Sequence, residues 1–488
     1  MHDSALDAVA IVTADRPHLL DRCLTALCTQ CHVYGHSPRV LVVDGSRRAA
    51  ADTRSVTERA RGRLRPQYVG RAEAAAVRTV LSRHGVRREV LHALLTPGSI
   101  GCGRNLALVL TVGQKVLMLD DDIVLDPCTL TTRLRASGLR FKGDCRYWTF
   151  FATRTQALAA AEPSPVDVLS SHGAYLGRAI SDVAPEDSTR RDMDTHRRAH
   201  RSDVERGRRL RVSLTGLAGD SGRYCSHQAL FRPRISEGPG GRTPHARTLP
   251  LTSREVCCIA DAPTVSLNAD CMMYCTGLAN DGFLPPFVPL GRGEDAVFGA
   301  VLALCDPAAA FMHLPFGVRH DSERPSGFGS EAMASARQSR LAEVMAVLIR
   351  PGVPARGTVA ADRLREIAER LMSAAAVAPM AFVNCLSEAI LRIRARQIAL
   401  AEEAMGSGAQ ARLWRSALSE YRTTLKSHSA QAGFCLPLEF RQSPTIEAGF
   451  RHLQSFVGQF GSACASWPDV LKAAENHSRA LRPGTAAG

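Results

Sequence analysis

The chain has 488 residues, of which 45% are hydrophobic and 22% are charged, as in a globular protein of two or three domains. No stretch approaches the ~20 apolar residues that span a bilayer, and the first residues lack the basic and apolar regions of a secretory signal. Fifteen cysteines without such a signal predict reduced thiols in the cytoplasm. The net charge of +14, mostly from arginine, suits phosphate-bearing or other anionic partners, although an arginine-rich composition alone would produce it too.

The chain opens with a predicted strand, helix and strand. Residues 8–13 (AVAIVT) and 39–43 (RVLVV) are apolar runs that stop at turns, and the residues between them repeat apolar positions at helical spacing. This order predicts a parallel sheet with a right-handed crossover. Ligands of such sheets bind beyond the carboxyl ends of the strands, where Thr13, Asp15 and Asp44 would lie.

The next segment leads to the most informative stretch of the sequence, residues 114–127 (QKVLMLDDDIVLDP). Residues 47–90 have a mainly helical pattern, residues 90–95 predict a short strand, and a glycine-rich turn at residues 98–103 precedes an apolar helix. The informative stretch is an apolar strand that ends in three carboxylates, those of Asp120, Asp121 and Asp122. Adjacent carboxylates repel one another and lose hydration beside a sheet, and a bound Mg²⁺ or Mn²⁺ ion would offset both effects. The alternative is a solvated, inert acidic turn.

Two polar segments interrupt the second half of the predicted sheet. Residues 152–211 are rich in arginine and predict a solvated insertion that an anionic ligand could order, and residues 232–253 predict a Pro-, Gly- and Arg-rich loop. Residues 212–217 and 264–267 predict short strands, and residues 310–314 predict an edge strand.

Short polar motifs in the same half could belong to a binding pocket. The turn at residues 219–222 (GDSG), followed by Cys225 and His227, is either part of a substrate pocket or a surface turn. Glu294 and Asp295 begin an apolar helix, where a carboxylate is favourable even without a catalytic role.

Repeated amphipathic helices dominate the C-terminal third of the chain. Residues 330–477 predict an all-helical domain that follows an α/β domain at residues 1–329, and residues 478–488 predict a disordered tail. These helices could cover the substrate site or mediate self-association into a homo-oligomer.

Two groups of thiols have spacings that could suit zinc. Cys28, Cys31 and His32 form one group, and Cys271 and Cys275 form the other. Apolar neighbours favour buried thiols over a metal site at both places.

Four motifs fall on the same side of the predicted sheet. In chain order they are AIVTADRPHLLDRCLTAL with VLVVDGS, GSIGCGRNLALVL with MLDDD, GEDAVFG, and LPFGVRH. In this combination the chain resembles nucleotide-sugar glycosyltransferases of the GT-A fold, of the family-2-like type. The resemblance covers roughly residues 7–127 and 290–321, and it leaves out the insertion and the C-terminal helices.

The resemblance implies an α/β GT-A domain with a mostly parallel twisted sheet, followed by the helical domain. It also implies a metal-dependent enzyme that moves a sugar from a nucleotide-diphosphate donor, with a UDP-sugar expected, to an acceptor hydroxyl. Mn²⁺ or Mg²⁺ would be bound by Asp120, Asp122 and His320. Asp295 would act as the general base of an inverting reaction, and Glu294 would hold the acceptor. The donor nucleotide would contact Thr13, Asp15, Arg16, Asp44, Arg104, Asn105, Asp120 and Asp121.

The sequence departs from that family at two points. A single Asp44 stands where many relatives carry two aspartates, and the gap from Asp122 to Asp295 is longer than a minimal catalytic domain needs. A nucleotidyltransferase of similar fold is one alternative, although it would carry a Gly-rich, basic loop where this chain has Ala14-Asp15-Arg16-Pro17. A non-catalytic nucleotide- or anion-binding scaffold is another. His320 could also be a structural histidine.

Overall fold

The structure is a computed structural model. It describes residues 6–60, 64–130, 139–141, 146–183, 207–223, 235–236, 252–267, 271–328, 338–349, 353–406 and 408–478.

Four parallel strands form the N-terminal half of the sheet, in the order β4-β1-β2-β3. The strands are β1 (Ala8–Thr13), β2 (Arg39–Asp44), β3 (Gln67–Val69) and β4 (Gln114–Asp120). The helices that connect them are α1 (Pro17–Tyr34), α2 (Ala50–Arg59), α3 (Arg71–Arg83), α4 (Arg88–Leu95) and α5 (Ile100–Leu110). The predicted β-α-β opening is therefore confirmed.

Burial on both faces explains the continuous apolar runs of these strands. Alternate residues of β1 point into two separate cores: Ala8, Ala10 and Val12 into one, and Val9 and Ile11 into the other. A parallel strand covered on both faces has no solvent-facing side, so its sequence does not alternate.

The second half of the sheet is mixed. It contains β5 (Ile123–Leu130), β6 (Arg140–Phe141), β7 (Arg146–Phe150), β8 (Ala161–Pro163), β9 (Arg209–Asp220), β10 (Ile235–Ser236), β11 (Glu255–Ala260), β12 (Thr264–Ser266), β13 (Cys275–Asn280) and β14 (Ala309–His320). β13 joins the two halves by pairing antiparallel with β4 and β9, and β14 runs parallel to β9 and antiparallel to β5. The predicted fold class, an α/β domain with a parallel sheet at its centre and a helical C-terminal part, is confirmed.

Two local predictions before β4 are wrong. Residues 90–95 belong to α4 rather than to a strand, because Val90, Leu91, Leu94 and Leu95 form the buried stripe of a helix. Most of the glycine-rich stretch at residues 98–103 is also helical, and it is capped by Ser99, whose hydroxyl accepts from the backbone N–H of Cys102.

The predicted edge strand at residues 310–314 is in fact longer and central. β14 continues through Pro315 to His320 and pairs with three strands. Its pairing with β9 is irregular between His313 and Gly317, which accommodates a proline that cannot donate to the ladder. β9 is also longer than predicted, so Gly219 and Asp220 end a strand before the chain turns at Ser221.

The predicted insertion is partly structured. Within it lie α6 (Arg154–Ala159), β8, α7 (Val168–Gly173) and α8 (Ile180–Val183). Most of its arginine-rich part, residues 184–206, lies outside the described residues, as do most of the predicted loop at 232–253 and residues 479–488 of the predicted tail.

Most of the remaining helices pack against the same core as the sheet. They are α9 (Glu294–Cys305), α10 (Leu341–Ile349), α11 (Ala360–Ala376), α12 (Pro379–Gly406), α13 (Gly408–Ser429), a 3₁₀ turn (Leu438–Phe440) and α14 (Ile446–Asn476). α14 lies on α11 and also on α4 and α5. Its Trp467 is fully buried and donates to the Leu284 carbonyl at 2.8 Å. The predicted boundary near residue 330 lies outside the described residues.

In the described part of the chain, no single helix has the length and hydropathy to cross a membrane. α11 and residues 379–400 of α12 reach that threshold only as a pair, and the pair is bent by 119°.

Candidate active site

A cleft of about 400 Å³ lies at the carboxyl ends of β4 and β14 and is closed on one side by α10. Its charged lining residues come from distant parts of the sequence and are Arg16, Arg104, Asp120, Asp122, Arg223, Arg292, Glu294, Asp295, His320, Arg324, Arg340 and Glu343. The strand register explains why the predicted acidic residues meet here. Thr13 lies opposite Asp44, and Val12 lies opposite Asp120, so three neighbouring strands end at the same edge.

Asp121, the middle carboxylate of the triplet, turns away from the cleft. It is fully buried, accepts a hydrogen bond from the Thr13 hydroxyl at 2.6 Å and pairs with Arg16 at 2.5 Å. Burial raises the pKa of Asp121 to about 7, and the neighbouring Asp122 adds to the rise while Arg16 opposes it. Asp121 and Thr13 therefore fix the end of the strand and the position of Arg16.

Asp122 faces the cleft and meets His320. Arg16 donates to Asp122 Oδ2 at 2.9 Å, while His320 Nε2 lies 3.3 Å from Asp122 Oδ1. Burial opposes ionisation of Asp122, but His320 and Arg16 hold its pKa well below the usual value. The carboxylates around His320 outweigh the effect of its burial and raise its pKa to about 9. These two side chains come from β14 and from the turn after β4, which the sequence separates by almost 200 residues.

Arg104 bridges the two acidic groups of the cleft. Its guanidinium is buried and donates to Asp120 Oδ1 at 2.8 Å and to Glu294 Oε1. Burial opposes the charge of Arg104, but the two carboxylates raise its pKa. This bridge ties α5 to the end of β4 and to the start of α9.

Glu294 and Asp295 occupy the first turn of α9. Burial raises the pKa of Glu294 to about 7, although Arg104 opposes the rise. Asp295 is half-buried, accepts from the backbone N–H groups of Ala296 at 2.8 Å and Met273 at 3.4 Å, and also has a raised pKa because of burial. Glu294 thus holds Arg104, whereas the hydrogen-bond partners of the Asp295 carboxylate in the described structure are backbone amides.

Asp15 and Asp44 lie at the same sheet edge but do not line the cleft. Asp15 has a positive φ of 55°, and its Oδ1 accepts from three successive backbone N–H groups, residues 47–49, before α2. These bonds lower the pKa of Asp15. Asp44 accepts from the Ser46 N–H at 2.8 Å and from the Tyr68 hydroxyl at 2.7 Å. Both aspartates therefore shape the loops beyond β1 and β2.

Asn105, which the sequence predicts to contact the donor, does not line the cleft. It is fully buried, its amide donates to the carbonyls of Leu94 and Phe287, and its Oδ1 accepts from the Phe287 N–H at 2.7 Å. The side chain clamps α5 to the segment that precedes α9.

Several cleft residues carry no motif in the sequence. Arg292 and Arg324 lie within four residues of Glu294 and His320, and that proximity to acidic motifs is the only signal that could have identified them. Ser221 and Gly222 also line the cleft, which favours the pocket interpretation of residues 219–222. Cys225 and His227 lie outside the described residues.

The thiol groups do not fit the alternative of a zinc site. In the residues that the structure describes, no three His, Cys, Asp or Glu side chains converge as a ready metal cluster. Cys28, Cys31 and Cys275 are free thiols, and Cys271 is buried. Burial raises the pKa of Cys275 to about 12, so this thiol stays protonated.

Asp122 and His320 form a pair of donors that suits a hard divalent cation, although no third described side chain converges with them to complete a cluster. Asp122 Oδ1 is buried and accepts no hydrogen bond in the described structure. His320 Nδ1 lies 2.5 Å from the Asp220 carbonyl and can donate to it, so a cation that displaces the proton from Nε2 would find that nitrogen facing Asp122. Asp120 adds a partly exposed carboxylate in the same cleft. Mg²⁺ and Mn²⁺ use few protein ligands of this type and complete their shells with water or phosphate.

Comparisons with known proteins show only a distant structural similarity. No family model matches the chain, and no curated protein matches its sequence. Among solved structures, residues 1–349 of S. aureus TarS are 15% identical, with 86% of this chain and 90% of that chain covered and a TM-score of 0.34. The same fragment in complex with UDP-GlcNAc is 16% identical, with 86% of this chain and 90% of that chain covered and a TM-score of 0.33. A longer S. aureus TarS structure is 16% identical, with 86% of this chain and 55% of that chain covered and a TM-score of 0.32.

Proposed function

We propose that this chain is a glycosyltransferase that moves a sugar from a nucleotide-diphosphate donor, a UDP-sugar in the first instance, to an acceptor hydroxyl. One observation carries the proposal: Asp122 and His320 face the same cleft as Asp295, and arginines line that cleft. Such a cleft combines a cation-binding pair, a candidate base and groups that attract phosphate. Sugar transfer from a nucleoside diphosphate needs all three.

Asp122 and His320, with Asp120, would hold Mn²⁺ or Mg²⁺. When bound, the cation would stabilise the negative charge that develops on the departing diphosphate. Arg16 lies against Asp122 and could turn toward the phosphate oxygens, because its side chain is 36% exposed.

Asp295 is proposed as the general base. It would take the proton of the acceptor hydroxyl while that oxygen bonds to the anomeric carbon and the bond from this carbon to the diphosphate oxygen breaks. Attack opposite the leaving group inverts the configuration. The raised pKa of Asp295 makes it a stronger base than an exposed aspartate. Each of its oxygens accepts one backbone N–H, which leaves each a further lone pair for the acceptor proton.

The other predicted donor residues at the ends of β1 and β2 lie at the same sheet edge, beside the cleft. Thr13 and Asp44 end the two strands next to Asp120, and Asp15 follows Thr13, so these three are proposed to bind the nucleoside. Arg104 positions Asp120 and Glu294, and Glu294 is proposed to act through Arg104 while lining the acceptor side. The arginines at positions 292 and 324 favour an anionic acceptor or the donor phosphates.

A donor-consumption assay tests the proposal. The purified chain is incubated with a panel of nucleotide sugars with and without Mn²⁺, and the release of nucleoside diphosphate is measured. We expect metal-stimulated release that Asp295→Asn reduces by roughly 100-fold or more. The control is Asp362→Asn, because Asp362 is an exposed carboxylate paired with Arg365 on α11.

Three results would contradict the proposal. Formation of pyrophosphate from a nucleoside triphosphate and a sugar phosphate would indicate the nucleotidyltransferase alternative. Full turnover by Asp295→Asn would exclude it as the base. Unchanged nucleotide and metal binding by Asp120→Asn and Asp122→Asn would exclude the metal site.

A further inference from the structure

A second, larger groove lies between α3, α4 and α14. Its volume is about 1230 Å³, and none of its lining residues lines the cleft. Four arginines line it, namely Arg78, Arg83, Arg87 and Arg88. The lining contains one carboxylate, that of Glu89, and no carboxylate among the described residues forms an ion pair with any of the four. Elsewhere on the surface, arginines such as Arg365 and Arg392 do pair with acids.

Neutral groups hold three of these arginines, Arg78, Arg87 and Arg88, in place without cancelling their charge. Arg87 donates to the hydroxyls of Ser462 at 2.8 Å and Ser466 at 3.1 Å, across the groove on α14. Arg78 donates to the Leu95 carbonyl at 3.1 Å, and Arg88 donates to a serine hydroxyl at 3.3 Å. An anion that enters the groove would therefore find these three guanidinium groups already oriented, which reduces the entropy lost on binding.

The first turn of α4 adds a second kind of anion-binding group. The helix begins at Arg88 inside the groove, and its N-cap residue, Arg87, makes no capping hydrogen bond from its side chain. Its first amide groups and the positive end of the helix dipole thus accompany the arginines. Burial lowers the pKa of Arg78, and the Cys102 thiol opposes this effect only in part.

We propose that this groove binds a linear polyanion made of linked phosphate groups. Four cations in a groove of this volume exceed what a single phosphate needs, and planar guanidinium groups match phosphate oxygens. The described lining residues include no Trp, Tyr or Phe, and His92 is the single ring among them, so they offer little aromatic surface on which the bases of single-stranded nucleic acids could stack. Phosphate chains without bases are therefore the favoured ligand. The site stands whether or not the cleft transfers a sugar.

The test uses the full chain and inorganic polyphosphate as the probe, with calorimetry at two salt concentrations. The groove variant is Arg83→Gln with Arg88→Gln, because both side chains are exposed and their loss should leave the fold intact. The matched control is Arg396→Gln with Arg415→Gln, which removes the same charge from exposed positions on α12 and α13. Thermal unfolding confirms that each variant is folded.

We expect polyphosphate to bind more tightly than orthophosphate and to lose at least tenfold in affinity in the groove variant but not in the control. The affinity for polyphosphate should also depend less steeply on salt concentration in the groove variant, because two phosphate contacts are lost. An equal loss in both variants would indicate general surface charge and would overturn the proposal. So would the absence of binding, or tighter binding of single-stranded RNA of equal charge. Nucleoside diphosphate release at the cleft, measured in parallel, should be unchanged by the groove variant. A failure of the polyphosphate-binding proposal can therefore be distinguished from a failure of the glycosyltransferase proposal.

Discussion

At the scale of single residues, the cleft is a set of carboxylates that the chain neutralises with its own cations. Arg16 contacts Asp121 and Asp122, and Arg104 contacts Asp120 and Glu294. Asp295 differs, because its hydrogen bonds come from backbone amides. This difference supports the proposal that Asp295 exchanges a proton with a substrate.

Replacing Arg104 should destabilise the fold strongly. Arg104→Gln would leave two carboxylates, one of them deeply buried, without their counter-ion, and such losses cost about 3–5 kcal/mol. Chemical denaturation measures the change in the free energy of unfolding. The double variant Arg104→Gln with Glu294→Gln should recover part of the loss, because the buried charge is removed with its partner. If Arg104→Gln has the same free energy of unfolding as the wild type, the bridge from Arg104 to Asp120 and Glu294 contributes nothing to stability.

His172 should make stability fall in mild acid. It is fully buried beside Ser213, and burial lowers its pKa to about 3, from an ordinary value near 6.5. Its folded-state pKa lies below its unfolded-state pKa, so the unfolded chain takes up the proton first. The stability due to neutral His172 is complete above about pH 6.5 and is lost as the pH falls toward 3.

The slope for one such proton is about 1.4 kcal/mol per pH unit. Denaturation at a series of pH values should therefore show that the free energy of unfolding falls less steeply with decreasing pH for His172→Gln than for the wild type. The two proteins share all other titrating groups. Identical slopes for the two proteins would contradict the neutral, buried state of His172.

At the scale of secondary structure, α5 positions the cleft. Arg104 reaches β4 and α9, while Asn105 clamps the helix to the segment before α9. Gly101 allows that segment to pass directly over the helix, because a Cβ atom there would collide with the Val288 carbonyl. The same segment continues to Arg292 and Asp295, so the packing of α5 determines where these groups lie.

Adding one methyl group at Gly101 should therefore disturb both stability and the cleft. Gly101→Ala forces the Val288 segment away, and overpacking of this kind costs about 1–3 kcal/mol. The control is Gly458→Ala in α14, where the nearest atom to a Cβ would be the Ala375 Cβ at 3.2 Å, so a small adjustment is enough. Urea denaturation compares the two variants. Equal changes in stability would mean that the close approach at Gly101 is not required.

At the scale of the whole molecule, the helical C-terminal part and the sheet share one core. Buried residues from β1, α5, α11 and α14 belong to a single apolar cluster. Trp467 lies in this cluster and donates to the Leu284 carbonyl, which precedes the cleft segment. The predicted separate helical domain is therefore joined to the α/β part by its core. Self-association through these helices stays a prediction.

The shared core should make the two parts unfold together. Trp467→Ala should cost about 3–5 kcal/mol, because it leaves a cavity in the common core. Calorimetry is expected to show one transition at a lower temperature than in the wild type. Trp467→Phe should cost less, since it keeps most of the apolar volume and loses mainly the hydrogen bond to Leu284. Two transitions, of which only one shifts, would show that the parts are independent.

The sequence by itself determined the local features of this protein. Apolar runs that stop at polar turns identified β1, β2 and β4, and the parallel order of these strands predicted that Thr13, Asp44 and Asp120 would end at one edge. Amphipathic spacing identified the C-terminal helices. These signals are readable because each depends on residues close together in the chain.

Only the tertiary structure decided what each side chain contacts. Arg16 pairs with Asp121 and Asp122 across more than a hundred residues, and His320 meets Asp122 because β14 runs beside β5. Asn105 looks like part of a binding motif but has every polar atom committed to backbone groups. Such outcomes depend on long-range packing and on competition among partners for each polar atom, and neither leaves a periodic pattern in the sequence.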